Sequence, residues 1–591
     1  MRKFWIVFII IAVVIGGGLG LLWKAASSLD GSGGSDAEGG LLHWRAGGAL
    51  PEGRDDSFMG QLRSSGGPTF REVVFGLHRA ARDPEVKAMV LELDGLAVSW
   101  AQLEELQDAL QRFRDADKPV WSVVSFAGNA DYALAAAAEH VVMVPEGNLM
   151  VLGVSAELAF LRDTMAKVGI EAEFLHVGEY KSAPEQLTRT EASEANREMT
   201  TSLVDQRYGL LVDLIAAGRG CTVDQVRGWI DVGMFDADLA LAEGLVDTLL
   251  DVEDLLADLY PDENVADFDD YVLAGRGGRA NHQVALVVAE GTIMSGESRQ
   301  DPMQGTVLGS DTVVDQLARA REDEDIEAVI LRVNSPGGSA MASDLMWREI
   351  ERLRAVKPVV VSMGGYAASG GFYISCNGDS VFADRGTLTG SIGVFAGKMN
   401  WSGFYEKLDL HREFITRGEN ALFWHDSGGF SPNQRTLFQD QLDRFYSRFV
   451  DKVAEGRGMT PEAVDAVARG RVWTGEQALE VGLVDGIGGL SRAMDSARVL
   501  VGAEPDELLR VHTFGKELGW LERTMLDALR SSQLAAAMQP APPFSAMPEP
   551  LAGMARALVH SGLADVAPLM DGRPVALMTW RPVAQPGGVT P

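Results

Sequence analysis

Residues Ala81–Asp94 read ARDPEVKAMVLELD, and residues Arg321–Asn334 read REDEDIEAVILRVN, with Val86 and Ile326 standing 240 positions apart. Working outward, KPVWSVVS (Lys118–Ser125) resembles KPVVVSMG (Lys357–Gly364) at an offset of 239. GRGCT (Gly218–Thr222) pairs with GRGMT (Gly456–Thr460), and GLVD at Gly244–Asp247 with GLVD at Gly482–Asp485, both at 238. Four blocks in order at a nearly constant offset make the chain a tandem duplication. In the second copy Val284–Val288, Ala328–Val333 and Pro358–Ser362 read as buried strands, with helical periodicity at Asp311–Arg321 and Ser343–Ala355 between them. Strands alternating with helices predict βαβ units and a mainly parallel sheet covered by helices on its faces. Ligands of such sheets bind at the carboxyl ends of strands, here the loops after Val333 and Ser362.

The 591 residues suffice for two or three domains, and 46% hydrophobic with 23% charged residues permits large cores. A net charge of −32 speaks against nucleic acid as a partner, since a basic patch supplies most of that affinity. The two cysteines, Cys221 and Cys376, lie in different halves and imply no disulfide framework. The nine histidines form no HExxH spacing and no Cys-x-x-Cys occurs, so neither a metal nor another cofactor is expected.

Arg2 and Lys3 precede an uncharged apolar run, Phe4–Leu22. Its length, about 28 Å as a helix, is close to the hydrocarbon thickness of a bilayer. The basic start favours a cytoplasmic amino terminus and an exported remainder. A cleaved signal peptide ending near Ala25 and Ala26 is the rival, but the run is longer than a usual signal core. GSGGSDAEGG (Gly31–Gly40) then reads as a tether. The expected organisation is a transmembrane signal anchor at 1–24, a linker and the start of the first copy at 25–67, copies at 68–260 and 281–500, and a partly Pro-rich extension at 501–591.

Two loops of the second copy could carry chemistry. NSPGG (Asn334–Gly338) follows a strand, and its paired glycines let backbone N–H groups turn outward. AASGG (Ala367–Gly371) follows the next strand and precedes a helix expected at Gly371–Ser375. Together they offer a nucleophile and an oxyanion hole, the two requirements of acyl transfer. Either alone is more often a structural turn, and AASGG lacks the first glycine of a G-x-S-x-G elbow.

NSPGG, AASGG and then LTGSIGV (Leu388–Val394) resemble the signal peptide peptidase A family of the long two-copy type, over roughly Phe70 to Leu500. The resemblance implies a serine protease with a Clp protease-like, crotonase-related α/β fold. VGEYKSAPE (Val177–Glu185) in the first copy matches the segment that carries the family's catalytic lysine. By that match Lys181 is the general base, Ser369 the nucleophile and Ser391 a hydrogen-bond partner that orients the lysine. The amides of Gly338 and Gly370 become the oxyanion donors. The resemblance further implies remnant signal peptides as substrates, attachment to the bacterial inner membrane with the catalytic part on the periplasmic side, and a homo-oligomer, expected as a tetramer.

The repeat examines this assignment independently. Lys181 corresponds at offset 240 to Ala421, and Ser369 at 239 or 240 to Ala130 or Asn129, with no serine between Phe126 and Val154. Gly337 and Gly338 correspond to Ala97 and Val98. Each copy lacks what the other holds, which predicts one composite site per pair of copies. A free lysine, with a pKa of about 10.4, is neutral in only about one molecule in 2,500 at pH 7. A useful Lys181 must therefore be desolvated, its pKa lowered by roughly 3 units, with Nζ reaching Ser369 and Ser391.

Rival readings are a Ser–His–Asp peptidase drawing on His411 or His425 with Asp409 or Asp426, a crotonase-like acyl-CoA enzyme, and a non-enzymatic membrane scaffold. Neither histidine lies in a matched motif.

Overall fold

A computed structural model describes residues 40–54, 67–259, 261, 264–275, 280–301, 305–504 and 507–515, and the backbone of 575–577. In the first copy the strands that position the site are β1 (Leu41–Ala49), β2 (Ala88–Ala97), β3 (Val120–Ala127), β4 (His140–Met150) and β5 (Glu171–Val177). In the second they are β6 (His282–Glu290), β7 (Ala328–Ser335), β8 (Gly337–Ser339), β9 (Val359–Ala368) and β10 (Val394–Asn400), followed far along the chain by β11 (Val575–Leu577). β2 and β7 begin 240 residues apart and β3 and β9 239 apart, the offsets of the sequence blocks.

Strands β4-β3-β2-β1 form a parallel core in one sheet, and β9-β7-β6 form its counterpart in a second. Near-continuous apolar runs suit strands buried on both faces. Helices Phe70–Arg82 and Trp100–Arg114 cover the first sheet with Phe70, Val73, Leu77, Leu106 and Leu110 against Met89 and Leu91. Helices Ser310–Glu322 and Ala340–Arg354 do the same in the second, packing Leu317, Met346 and Ile350 on Val329 and Leu331. The chain is an α/β protein with two similar halves.

The recurring sequence blocks mark chain reversals. Helices Glu194–Arg219 and Pro432–Arg457 are each 26 residues long and end on a left-handed glycine, Gly220 (φ 62°) and Gly458 (φ 61°). Two residues later Thr222 and Thr460 cap the next helix. The GLVD aspartates pair with the last arginine of each helix, Arg219–Asp247 at 2.6 Å and Arg457–Asp485 at 2.5 Å.

Three of the boundaries that differ from the sequence reading lie around the two loops. β9 runs on to Ala368 rather than ending at Ser362, because after a register shift opposite β7 it goes on pairing as far as the residue before Ser369. The helix expected from Ser343 begins at Ala340, where the Ser339 side chain accepts from the Ala342 amide. The NSPGG segment is largely extended, as Pro336 separates β7 from β8. The apolar run Phe4–Leu22 lies outside the described residues; among those described, no helix is long and apolar enough to cross a membrane.

The halves are joined by strand exchange and by buried charge. β5 leaves the first half and pairs antiparallel with β10 of the second, from Val177↔Val394 to Glu171↔Asn400. Arg332 on β7 reaches across to Glu52 at 2.7 Å and Glu105 at 2.5 Å, all three side chains almost wholly buried.

Candidate active site

Ser369 stands between the end of β9 and the short helix Gly370–Ser375 at φ 55°, ψ −112°. A non-glycine residue there is strained by roughly 1–3 kcal/mol, and persists only where its surroundings impose it. Its N–H donates to the Gly390 carbonyl at 2.8 Å, which fixes the turn. The glycines around it are dictated by space. A Cβ on Gly370 would lie 2.6 Å from Ser343 Oγ and 3.2 Å from the Gly338 nitrogen, and one on Gly338 would lie 2.1 Å from the Ile293 carbonyl oxygen. The two backbones thus lie side by side, beside Ser369.

Lys181 arrives from the other half. After β5 the chain turns at Gly178 (φ +96°), the Tyr180 N–H donates to the Arg469 carbonyl at 3.0 Å, and Lys181 follows. Its Nζ is 2.8 Å from Ser369 Oγ, 2.8 Å from the Ser391 carbonyl oxygen and 2.9 Å from Ser391 Oγ. The lysine is 2% exposed and Ser369 is 0% exposed. Burial alone drives the Lys181 pKa well below its ordinary 10.5, because charging the amine there forfeits its hydration. A neutral amine has two N–H donors and one lone pair. Nζ lies within hydrogen-bond distance of all three oxygens, and in the neutral form its two N–H groups would donate to Ser391 O and Oγ while its lone pair accepts from the Ser369 hydroxyl. This arrangement can draw a proton from Ser369.

Peptidase family S49 matches residues 112–266 and 351–504, two stretches that make up just over half of the chain. The chain belongs to peptidase family S49. It is a serine protease, in line with its relatives. "Serine protease SPPA, chloroplastic" of Arabidopsis thaliana is 33% identical over 71% of this chain, a match that spans 64% of the relative's own length. "Protease 4" of Haemophilus influenzae is 32% identical over 74% of this chain and 73% of its own, and that of Salmonella typhi 31% identical over 83% and 80%. Among solved structures, a ClpP1 mutant from Listeria monocytogenes covers 35% of this chain and 94% of its own at 17% identity and a TM-score of 0.24, too slight a likeness to weigh.

Within this S49 protease the repeat-related positions do other work. Asn129, at the place of Ser369, donates from Nδ2 to the Gly153 carbonyl at 2.6 Å and accepts from the Leu152 N–H at 2.9 Å. It staples a loop. Ala421, at the place of Lys181, is exposed in a turn. His425 is engaged locally, accepting from the Ser427 N–H at 3.0 Å, with Arg412 Nη2 at 3.3 Å from its other nitrogen. His411 is exposed, and the side-chain partner of Ser369 is the lysine.

Sequence reasoning missed the segment Arg469–Arg471. The Gly470 N–H donates to Ile392 O at 2.8 Å and the Ser391 N–H to Arg471 O at 2.6 Å, so the segment holds the Ser391 turn and the lysine arm together. Gly470 has φ +83°, and a Cβ there would lie 2.4 Å from the Lys181 nitrogen. Nothing in the repeat marks it, since the first copy has Val232 at the matching offset of 238.

Proposed function

We propose that this S49 serine protease is a membrane-anchored endopeptidase working through a Ser369–Lys181 dyad. The observation that carries the reading is a buried lysine with no charged partner among the causes of its pKa shift, 2.8 Å from a strained, buried serine. Neutral Lys181 takes the Ser369 proton, and the alkoxide attacks a peptide carbonyl. The Gly338 and Gly370 amides receive the oxyanion. The Lys181 ammonium then protonates the leaving amine, and water, deprotonated by the same amine, releases the acyl group. Ser391, at φ 50° and with two oxygens on Nζ, is a positioning residue that aims the lone pair.

For substrate, remnant signal peptides fit a chain whose amino-terminal run Phe4–Leu22 would hold the site near a bilayer. The same reading takes the protein to the periplasmic face of a bacterial inner membrane as a homo-oligomer, a tetramer by the resemblance. The decisive experiment is hydrolysis of unstructured peptides by the full chain in detergent and by a form lacking residues 1–30. Ser369→Ala and Lys181→Ala should each abolish turnover. Activity lost in His411→Ala or His425→Ala but kept in Lys181→Ala would sink the dyad in favour of a Ser–His–Asp site. Turnover of CoA thioesters would point to the crotonase-like reading. No labelling of folded protein by a serine-directed phosphonate would leave a scaffold.

A further inference from the structure

Lys181 sits at the end of an arm, and contacts from both halves close a ring around it. Tyr180, the residue before it, donates from its hydroxyl to Glu198 Oε2 at 3.0 Å. Glu198 belongs to the helix Glu194–Arg219 of the same half, and its Oε1 accepts from Arg471 Nη1 of the second half at 2.7 Å. The Arg471 guanidinium also lies over two rings, 4.8 Å from the centroid of Tyr180 and 4.5 Å from that of Trp473. Its backbone carbonyl accepts the Ser391 N–H at 2.6 Å, and Ser391 holds Lys181 Nζ with both of its oxygens. Lysine, tyrosine, glutamate, arginine and serine thus form a circuit in which each member fixes the next.

The repeat sets this circuit apart from ordinary surface pairing. At the offset of 240 that carries Lys181 to Ala421, Tyr180 goes to Asn420. At the offset of 238 that relates the starts of the two long helices, Glu194 and Pro432, Glu198 goes to Thr436 and Arg471 to Gly233. The other arrangement open to the duplication, the arm of the second copy on the body of the first, therefore lacks all three side chains along with the lysine and the serine. Ion pairs that the fold itself uses recur in both copies, as Arg219–Asp247 and Arg457–Asp485 do. The Glu198–Arg471 pair occurs only where a base has to be held.

The Glu198 side chain is 53% exposed, and an exposed ion pair contributes little to stability. What the circuit supplies is constraint, because Lys181 approaches from one half while Ser369 and Ser391 lie on the other. We propose that Arg471, with Glu198 and Tyr180, is a positioning residue for the base, a latch that seats the lysine arm on the second half and keeps water from its amine. The proposal rests on the Ser369–Lys181 reading, which it deepens. Arginine suits the role, since a planar guanidinium covers a ring with its face while its edge meets a carboxylate. Hydrogen bonds from Arg471 and Tyr180 hold the Glu198 carboxylate below its ordinary range, so the latch stays charged at neutral pH. Opening it has two consequences. The arm shifts, and a displacement of about 1 Å costs roughly 100-fold in rate. Water also reaches Nζ, and the Lys181 pKa climbs back toward its ordinary 10.5, because burial is what lowers it.

The test is a set of pH–rate profiles for hydrolysis of an unstructured fluorogenic peptide by the full chain in detergent. The proteins are the parent, Glu198→Ala, Arg471→Met, the double variant and Lys181→Ala, with thermal unfolding of each read first. At pH 7, Glu198→Ala and Arg471→Met should each lower kcat by about 10- to 100-fold with KM nearly unchanged. Their ionisation limb should move to higher pH, so that the deficit narrows toward about pH 10. The double variant should be no worse than Arg471→Met, because both substitutions open one latch. Parent-like kcat in the single variants overturns the proposal, as does a deficit that is equal at every pH or that adds in the double variant. Should Arg471→Met fail to fold, Glu198→Ala decides alone, since alanine suits an exposed helix position. Lys181→Ala that retains turnover overturns the dyad and the latch with it. Lysine-dependent turnover indifferent to Glu198 and Arg471 overturns the latch and leaves the dyad standing.

Discussion

Lys181 Nζ lies 2.8 Å from Ser369 Oγ, although the two residues are 188 positions apart and belong to different copies of the repeat. The contact exists because β5 crosses from the first half to pair with β10 of the second, delivering the lysine to the far side of the serine. The crossing also buries the amine completely, and burial is the sole cause of its lowered pKa. One packing event therefore supplies both position and chemistry.

On the proposed dyad Lys181 must be neutral to act, so kcat/KM should rise with pH along a single ionisation limb. Its midpoint should lie well below the ordinary lysine value of 10.5, as the direction of the shift requires. The measurement is a pH–rate profile of peptide hydrolysis from about pH 5 to 10. A limb centred near 10.4 would mean that a solvated lysine, or another group, is the base.

Stability should carry the same signature. In the unfolded chain Lys181 keeps its proton up to about pH 10.4, whereas in the native state it loses it far lower. Between those two pKa values the unfolded state binds more protons, so the contribution of this group to stability is full above pH 10.4 and is lost as pH falls through the native pKa. Lys181→Met removes the titration. Whatever constant cost the three lost hydrogen bonds bring, the Tm of the variant relative to the parent should be highest at low pH and decline toward pH 10.4. A pH-independent difference would contradict a desolvated amine. Activity of this variant should be nil at every pH.

Gly470 offers a test far from any recognisable motif. Its φ of +83° and the 2.4 Å approach of a Cβ to the Lys181 nitrogen mean that Gly470→Ala must move the lysine arm. A displacement of about 1 Å can cost roughly 100-fold, and kcat should fall on that order with KM nearly unchanged. Gly458→Ala is the control: its φ is +61°, but nothing lies within 4 Å of the added Cβ. It should cost about 1 kcal/mol of stability and leave kcat intact. Equal kcat losses in both would mean that the effect is backbone strain alone.

The repeat, the presence of the core strands and the complementary losses were legible in the sequence because they rest on local pattern: β-branched runs, paired glycines, and the absence of a serine opposite Ser369. Other features came from spacing no linear pattern records. The Arg469–Arg471 clamp is visible only once Gly470 is seen against Lys181, and Arg332 reads as one polar residue inside an apolar strand until Glu52 and Glu105 are found around it. β11 was equally hidden, since a three-residue strand has too little sequence to show a period.

That buried cluster makes the last prediction. Arg332 donates to both carboxylates of the first half, and also to Ser362 Oγ at 2.8 Å within its own. Arg332→Met would leave Glu52 and Glu105 facing each other without a cation, at a cost of about 3–5 kcal/mol. Combining it with Glu52→Gln and Glu105→Gln should recover much of that, because the penalty lies in the uncompensated charges. Chemical denaturation of the single and triple variants measures the difference. The same cluster and the β5–β10 pairing imply that neither half is competent when expressed alone. One lacks Ser369, the other lacks Lys181, and each would present its share of this buried charge to water. Full peptide hydrolysis by either isolated half would refute the composite site. A triple variant no more stable than Arg332→Met would show that the cluster holds the halves by shape and not by charge.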